Sequence, residues 1–118
     1  MKLIDTHSHI YSKEFDEDIS ETIQRAKDAN VGQIFLPNID SESVEPMFKL
    51  VKDYPGFCLP MMGLHPTSVK ENYKEELAIC EKWLNKESFI AIGEIGIDLY
   101  WDKTFLNEQQ FVFEQQLL

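Results

Sequence analysis

This chain has three histidines, and two of them fall in the stretch Asp5-Thr6-His7-Ser8-His9, which closes the apolar run Leu3-Ile4. Side chains alternate faces along a β-strand, so His7 and His9 emerge on one side, and Asp5 shares that side. Two neutral imidazoles close together can grip one divalent ion, and the spacing suits a second ligand placed where the strand turns into a loop. Asp5 is placed to orient an imidazole from behind. Taken alone, the pair reads equally well as two surface histidines in a turn.

Two later segments repeat the plan of an apolar run closed by glycine and a ligand-capable residue. They are Met61-Met62-Gly63-Leu64-His65-Pro66 and Ile90-Ala91-Ile92-Gly93-Glu94-Ile95-Gly96-Ile97-Asp98. A carboxylate is a natural bridge between two metal ions about 3.5–4 Å apart, and Glu94 stands where such a bridge is useful. The plainer reading makes Glu94 a helix cap or a lysine partner, but Gly93 and Gly96 argue for close backbone approach or unusual dihedrals. His65 is either a site residue or a hydrogen-bonded turn histidine before Pro66. Asp98 is better suited to fixing its loop by hydrogen bonding than to ligating a metal.

The segments DTHSH at 5–9, GLHP at 63–66 and GEIGIDLYW at 93–101, with the spacing of Gln109, Phe113 and Gln116, together resemble the TatD family of metal-dependent deoxyribonucleases, within the amidohydrolase-like superfamily. The likeness runs in order from residue 3 to the end of the chain. It implies a TIM barrel, two divalent ions (Mg, Mn or Zn) per complete site, and hydrolysis of DNA phosphodiesters by a metal-bound hydroxide. It implies that His7 and His9 ligate the first metal and that Glu94 bridges the pair. His65 then serves as a substrate-phosphate or acid–base residue near the metals. Tyr100 and Trp101 either stack on a nucleobase, a sequence-tolerant contact of roughly 1–3 kcal/mol, or cover the core at the barrel rim. The family completes its site with two further histidines and an aspartate from the second half of the barrel, and no residue after Glu94 matches them.

Length and charge bound this reading. A TIM barrel takes roughly 250 residues, and this chain has 118, enough for one domain's worth of core but about half of a barrel. Eleven Lys and Arg against twenty-one Asp and Glu give a net charge of −10, the wrong sign for tight nonspecific nucleic-acid binding. A metal cluster can still supply local positive charge, so weak, salt-sensitive DNA affinity is expected. Cys58 and Cys80 read as small core residues in a reducing compartment. No signal peptide precedes Met1-Lys2-Leu3-Ile4, and no apolar run approaches the ~20 residues of a membrane span. A soluble, cytoplasmic protein is expected.

Four strands and four helices must position these residues. Lys2 to His7 reads as a strand apolar on both faces, followed by a loop in which Tyr11 and Phe15 pack over the strand end or reach a ligand. Ile19, Ile23, Ala26 and Val31 recur at helical intervals, predicting a helix from Asp16 or Glu17 to Asn30. Gln33 to Asn38 is the second strand. The second helix starts near Ser43, with Pro46 in its first turn, and runs to about Tyr54; Phe48 and Val51 turn inward beside Met47 and Leu50. Phe57 to Met62 is the third strand. A helix from Tyr73 to Asn85 carries the stripe Tyr73, Leu77, Cys80 and Leu84, and the run from Lys70 to Glu76 reads as a solvated helix start. Phe89 to Gly93 is the fourth strand, and a last helix opens at Leu106 or Asn107. There Gln109, Phe113 and Gln116 share one face, which reads as packing on the sheet.

The expectation is an α/β fold over residues 1–118, the N-terminal part of a single TatD-like barrel domain, truncated to four of the eight TIM-type βα units. His7, His9, Asn38, His65 and Glu94 lie at or just past the strands' C-terminal ends, the catalytic face of such barrels. The whole barrel is expected to be a hydrolase of ester bonds, with this chain alone incomplete and inactive. Two rivals stay open: hydrolysis of an amide or small phosphoester on the same scaffold, and a non-catalytic fragment or interaction module. With two sheet edges unpaired, the isolated chain is expected to self-associate or to need the missing C-terminal half.

Overall fold

The computed structural model describes residues 1–118. It alternates strand and helix through four units: β1 (Leu3–Asp5), α1 (Ile19–Asp28), β2 (Val31–Pro37), α2 (Val44–Asp53), β3 (Cys58–Met62), α3 (Tyr73–Lys86), β4 (Ala91–Ile92) and α4 (Leu106–Leu117). The four strands are all parallel, in the order β1-β2-β3-β4. This is the half-barrel architecture expected from sequence. Parallel strands need a crossover, so every strand's C-terminal end opens on one rim.

The two faces of the sheet differ. Ile34 and Leu36 of β2 and Cys58 and Met62 of β3 are buried, and they share a core with Ile23 of α1, Val44, Met47 and Leu50 of α2 and Val112 of α4. The alternate residues Phe35, Leu59 and Met61 are only half-buried. Strand periodicity puts them on the opposite face, which corresponds to the interior of a closed barrel. Phe48 stacks on Trp83 at 5.3 Å and meets Phe89 edge-on at 5.5 Å, joining α2, α3 and the approach to β4.

Several elements depart from expectation for local reasons. β1 ends at Asp5, and Leu3 and Ile4 are 48% and 51% exposed, because β1 pairs with β2 alone. β4 shrinks to two residues at the other edge, with Ile92 also exposed. A 3-10 turn over Lys13–Phe15 delays α1 to Ile19. Asn30 then adopts φ 70°, a left-handed stop that asparagine tolerates better than most residues. The stripe of α3 buries Cys80 but leaves Leu84 exposed. Glu76 is buried rather than solvated: its carboxylate accepts from the amide of Ser41 at 2.9 Å and from the Ser41 hydroxyl at 2.8 Å, anchoring α3 to the 3-10 turn Ser41–Ser43 that leads into α2. No helix is long and apolar enough to cross a membrane.

Candidate metal centre

The cluster is built at the rim, one loop per strand. After β1, the Ser8 amide donates to the Phe35 carbonyl at 3.1 Å, continuing the pairing with β2. That bond keeps the segment extended, so the flanking His7 and His9 emerge together, with their Nε2 atoms 3.2 Å apart. Asp5 accepts from the main-chain amide of His7 at 3.1 Å rather than from its ring, so it fixes the strand exit and not the imidazole.

Glu94 follows β4 and meets the histidines across the rim. Its Oε2 lies 2.9 Å from His7 Nε2 and 3.4 Å from His9 Nε2, and its Oε1 lies 3.2 Å from His65 Nε2. His65 heads the turn after β3: its amide donates to the Ile39 carbonyl at 2.8 Å, and its Nδ1 accepts from the Thr67 amide at 3.1 Å. Burial holds the His9 pKa below the usual histidine value, and the neighbouring His7 adds to the depression, with Glu94 opposing it. Burial likewise raises the Tyr11 phenol, which stays protonated between His9 Nδ1 and the Pro37 carbonyl.

These donors fit a divalent ion. At the ~2.0–2.1 Å bond lengths of zinc, the edge of a ligand tetrahedron is about 3.3 Å, close to the spacings among His7 Nε2, His9 Nε2 and Glu94 Oε2. His7, His9 and Glu94 can therefore hold a metal. His65 stands on the far oxygen of Glu94, outside that trio.

The supports of the cluster are residues to which sequence reading gave no such role. Asn38 is fully buried: its Nδ2 donates to the Gly63 and Asp40 carbonyls, both at 3.0 Å, its Oδ1 accepts from the Ser43 hydroxyl at 2.6 Å, and its carbonyl accepts from the Glu94 amide at 3.4 Å. One side chain and its own peptide thus join the ends of β2, β3 and β4. Gln109 and Gln116 of α4 reach two of the loops rather than packing on the sheet. Gln109 Oε1 accepts from the Asp98 amide at 2.8 Å while its Nε2 donates to the Asp98 carbonyl at 3.0 Å. Gln116 Oε1 accepts from the Leu64 amide at 2.7 Å, and its Nε2 reaches the Leu64 carbonyl at 3.5 Å. The available signal was a polar residue just past an apolar run for Asn38, and helical spacing for the glutamines.

The close backbone approach lies at Gly63. A Cβ there would stand 2.7 Å from the Gly93 carbonyl carbon and 3.0 Å from the Glu94 amide nitrogen. At Gly93 the clash is only with the flexible tip of Met61, and Gly96 has φ 148° with open space around it. The Asp98 carboxylate accepts from the Tyr100 amide at 2.9 Å, shaping the loop. Tyr100 and Trp101 are 83% and 79% exposed and pack edge-to-face at 4.7 Å, so they do not cover the core. Trp101 borders a small cleft with Thr67, Lys70 and Asp98.

A parallel half-barrel with a two-histidine, one-carboxylate cluster on its C-terminal rim defines a barrel-type α/β protein whose rim could hold a metal ion. Residues 4–118 match the TatD related DNase family, and the chain belongs to it. It is 32% identical over 115 residues to the uncharacterized metal-dependent hydrolase YabD of Bacillus subtilis, covering 98% of this chain and 45% of YabD. Human deoxyribonuclease TATDN3 is 31% identical over 106 residues, covering 81% of this chain and 38% of that protein. The crystal structure of YjjV, a TatD homolog from Escherichia coli, superposes with a TM-score of 0.87 at 31% identity, over 98% of this chain and 45% of YjjV. The chain thus spans about 45% of the length of these bacterial relatives.

Proposed function

We propose that this chain carries part of the active centre of a divalent-metal-dependent hydrolase that cleaves DNA phosphodiester bonds. The observation that supports this most is the division of Glu94, with Oε2 towards His7 and His9 and Oε1 towards His65. With Oε2 joined to His7 and His9, the other oxygen of this carboxylate is left to bridge to a second ion, here Mg, Mn or Zn. Such ions, when bound, polarise a phosphoryl oxygen and lower the pKa of a bound water. In this reading His7 and His9 hold one ion with Glu94. His65, braced by Thr67, offers its Nε2 to the anionic phosphate. The exposed Tyr100–Trp101 pair stacks on an unpaired base, which favours single-stranded DNA.

The chain's three histidines are all in use at this cluster. The remaining ligands of a two-metal site come from outside this chain, so the chain alone is inactive. The same reading has the open β1 and β4 edges associate with another copy or with the second half of a barrel. Free, buried Cys58 and Cys80 accord with a reducing, cytoplasmic setting.

Fluorescence anisotropy with a labelled single-stranded oligonucleotide tests the substrate class, alongside a cleavage assay with Mn²⁺ or Mg²⁺ on single-stranded and duplex DNA. Metal-dependent, salt-sensitive binding weakened several-fold by Trp101→Ala is expected, without cleavage. Binding indifferent to metal and to Trp101 would contradict the DNA reading, and chelator-sensitive cleavage by this chain alone would contradict its incompleteness.

A further inference from the structure

Two histidines of the cluster are braced from behind by groups of opposite hydrogen-bonding character. Tyr11 is 6% exposed, and its hydroxyl donates to the Pro37 carbonyl while lying 2.9 Å from His9 Nδ1. A carbonyl oxygen can only accept, so the single phenolic proton is committed to Pro37. Towards His9 the hydroxyl has only a lone pair to offer. His9 Nδ1 therefore carries the hydrogen, and in the neutral ring Nε2 keeps its lone pair towards His7 Nε2 at 3.2 Å, while His7, 2.9 Å from Glu94 Oε2, is the nearer partner of that carboxylate. At His65 the logic is reversed. The Thr67 amide can only donate, and it points at His65 Nδ1 from 3.1 Å, with the Thr67 hydroxyl 2.7 Å from the same nitrogen. Nδ1 is then the acceptor, and the neutral ring carries its hydrogen on Nε2, 3.2 Å from Glu94 Oε1.

We infer that Tyr11 and Thr67 are positioning residues that fix opposite tautomers on His9 and His65, so that His9 is a metal ligand through Nε2 while His65 is a hydrogen-bond donor that stays off the metal. The difference involves no change of net charge, only which nitrogen bears the proton. It separates two histidines that share one carboxylate, and it gives Glu94 Oε1, or a phosphate oxygen that takes its place, an N–H rather than a lone pair. The metal and phosphate roles rest on the function proposed above, but the tautomers do not.

Nitrogen-15 NMR of the metal-free chain, above the titration range of histidine, reads the tautomers directly through long-range couplings from the ring protons to the ring nitrogens. The expected spectrum has His9 protonated on Nδ1 and His65 on Nε2. Tyr11→Phe should release His9 towards the Nε2–H form and weaken Zn²⁺ binding by about 10-fold or more. Thr67→Val keeps the amide and should leave His65 unchanged. His9 protonated on Nε2 in the unaltered chain would overturn the inference, as would His65 protonated on Nδ1. Because the unaltered chain is read first, a Tyr11→Phe chain that fails to fold does not remove the test. Correct tautomers in a chain that binds no metal would keep the tautomer assignment and overturn the metal role given to His9.

Discussion

His7 Nε2 and Glu94 Oε2 lie 2.9 Å apart, although β1 and β4 are the two outermost strands of the sheet. Three strand spacings in a flat parallel sheet amount to about 14 Å. Curling of the sheet, with side chains leaning over its rim, brings together the loops that follow the two edge strands. The candidate metal site is therefore a product of curvature, and anything that flattens the sheet or moves one rim loop should open it.

Gly63→Ala tests that dependence. The new Cβ meets main-chain atoms of Gly93 and Glu94, which cannot swing aside as a side-chain tip would. The expected loss is about 1–3 kcal/mol of stability, with weaker metal binding because the Glu94 peptide is displaced. Chemical denaturation and a Zn²⁺ titration measure the two effects, and unchanged values for both would show that β3 and β4 can separate freely there.

Gln109→Leu and Gln116→Leu each remove an amide that satisfies both main-chain groups of one residue, Asp98 or Leu64. Unsatisfied buried groups cost about 1–3 kcal/mol, so each variant should melt earlier. Hydrogen exchange should quicken at the Asp98 amide in the first and at the Leu64 amide in the second. Exchange that stays unchanged at both would remove the glutamines from the support of the site.

Much of this arrangement was legible in the sequence, and the reason is periodicity. Alternation along a strand brings His7 and His9 to one side, and an apolar run closed by glycine puts His65 and Glu94 at strand ends. Asn38, Tyr11, Gln109 and Gln116 were harder to read because they act on main-chain groups of distant loops. Helical spacing tells that Gln109 and Gln116 share a face, not that their amides meet the peptides of Asp98 and Leu64. The exposure of Leu3 and Ile4 was hidden for a related reason: composition marks a strand as apolar, but position in the sheet decides whether a neighbour covers it.

Acid should release the metal, and the His9 shift fixes the direction. A lowered pKa means that the folded protein binds its proton less readily than a free imidazole, whose pKa is about 6.5. Affinity for Zn²⁺ should thus hold as pH falls towards that value and decline below it, as protons compete for His9 Nε2. By the same linkage the apo fold loses stability as pH falls through the folded pKa of His9. Metal affinity that rose on acidification would contradict the assignment of His9.

Cys58 and Cys80 are buried, and burial raises their thiol pKa values to about 11 and about 12. Near pH ~8 almost no thiolate forms, so both should resist an aromatic disulfide reagent until the protein is denatured. Rapid reaction of either thiol in the native chain would show the core around α3 and β3 to be open.

The open edges make association the expected solution behaviour. Leu3, Ile4, Ile90 and Ile92 leave apolar surface at the two unpaired strands. Light scattering at low micromolar concentration should report species larger than one chain. A monodisperse, cooperatively melting monomer would contradict this.

Calorimetric titration with Zn²⁺ or Mn²⁺ bears most directly on the centre, because it asks whether His7, His9 and Glu94 bind a cation without requiring a complete active site. Weak binding of one equivalent by the unaltered chain is expected, abolished in His7→Ala with His9→Ala and sharply reduced in Glu94→Ala. Equal heats from the unaltered chain and the double variant would contradict it.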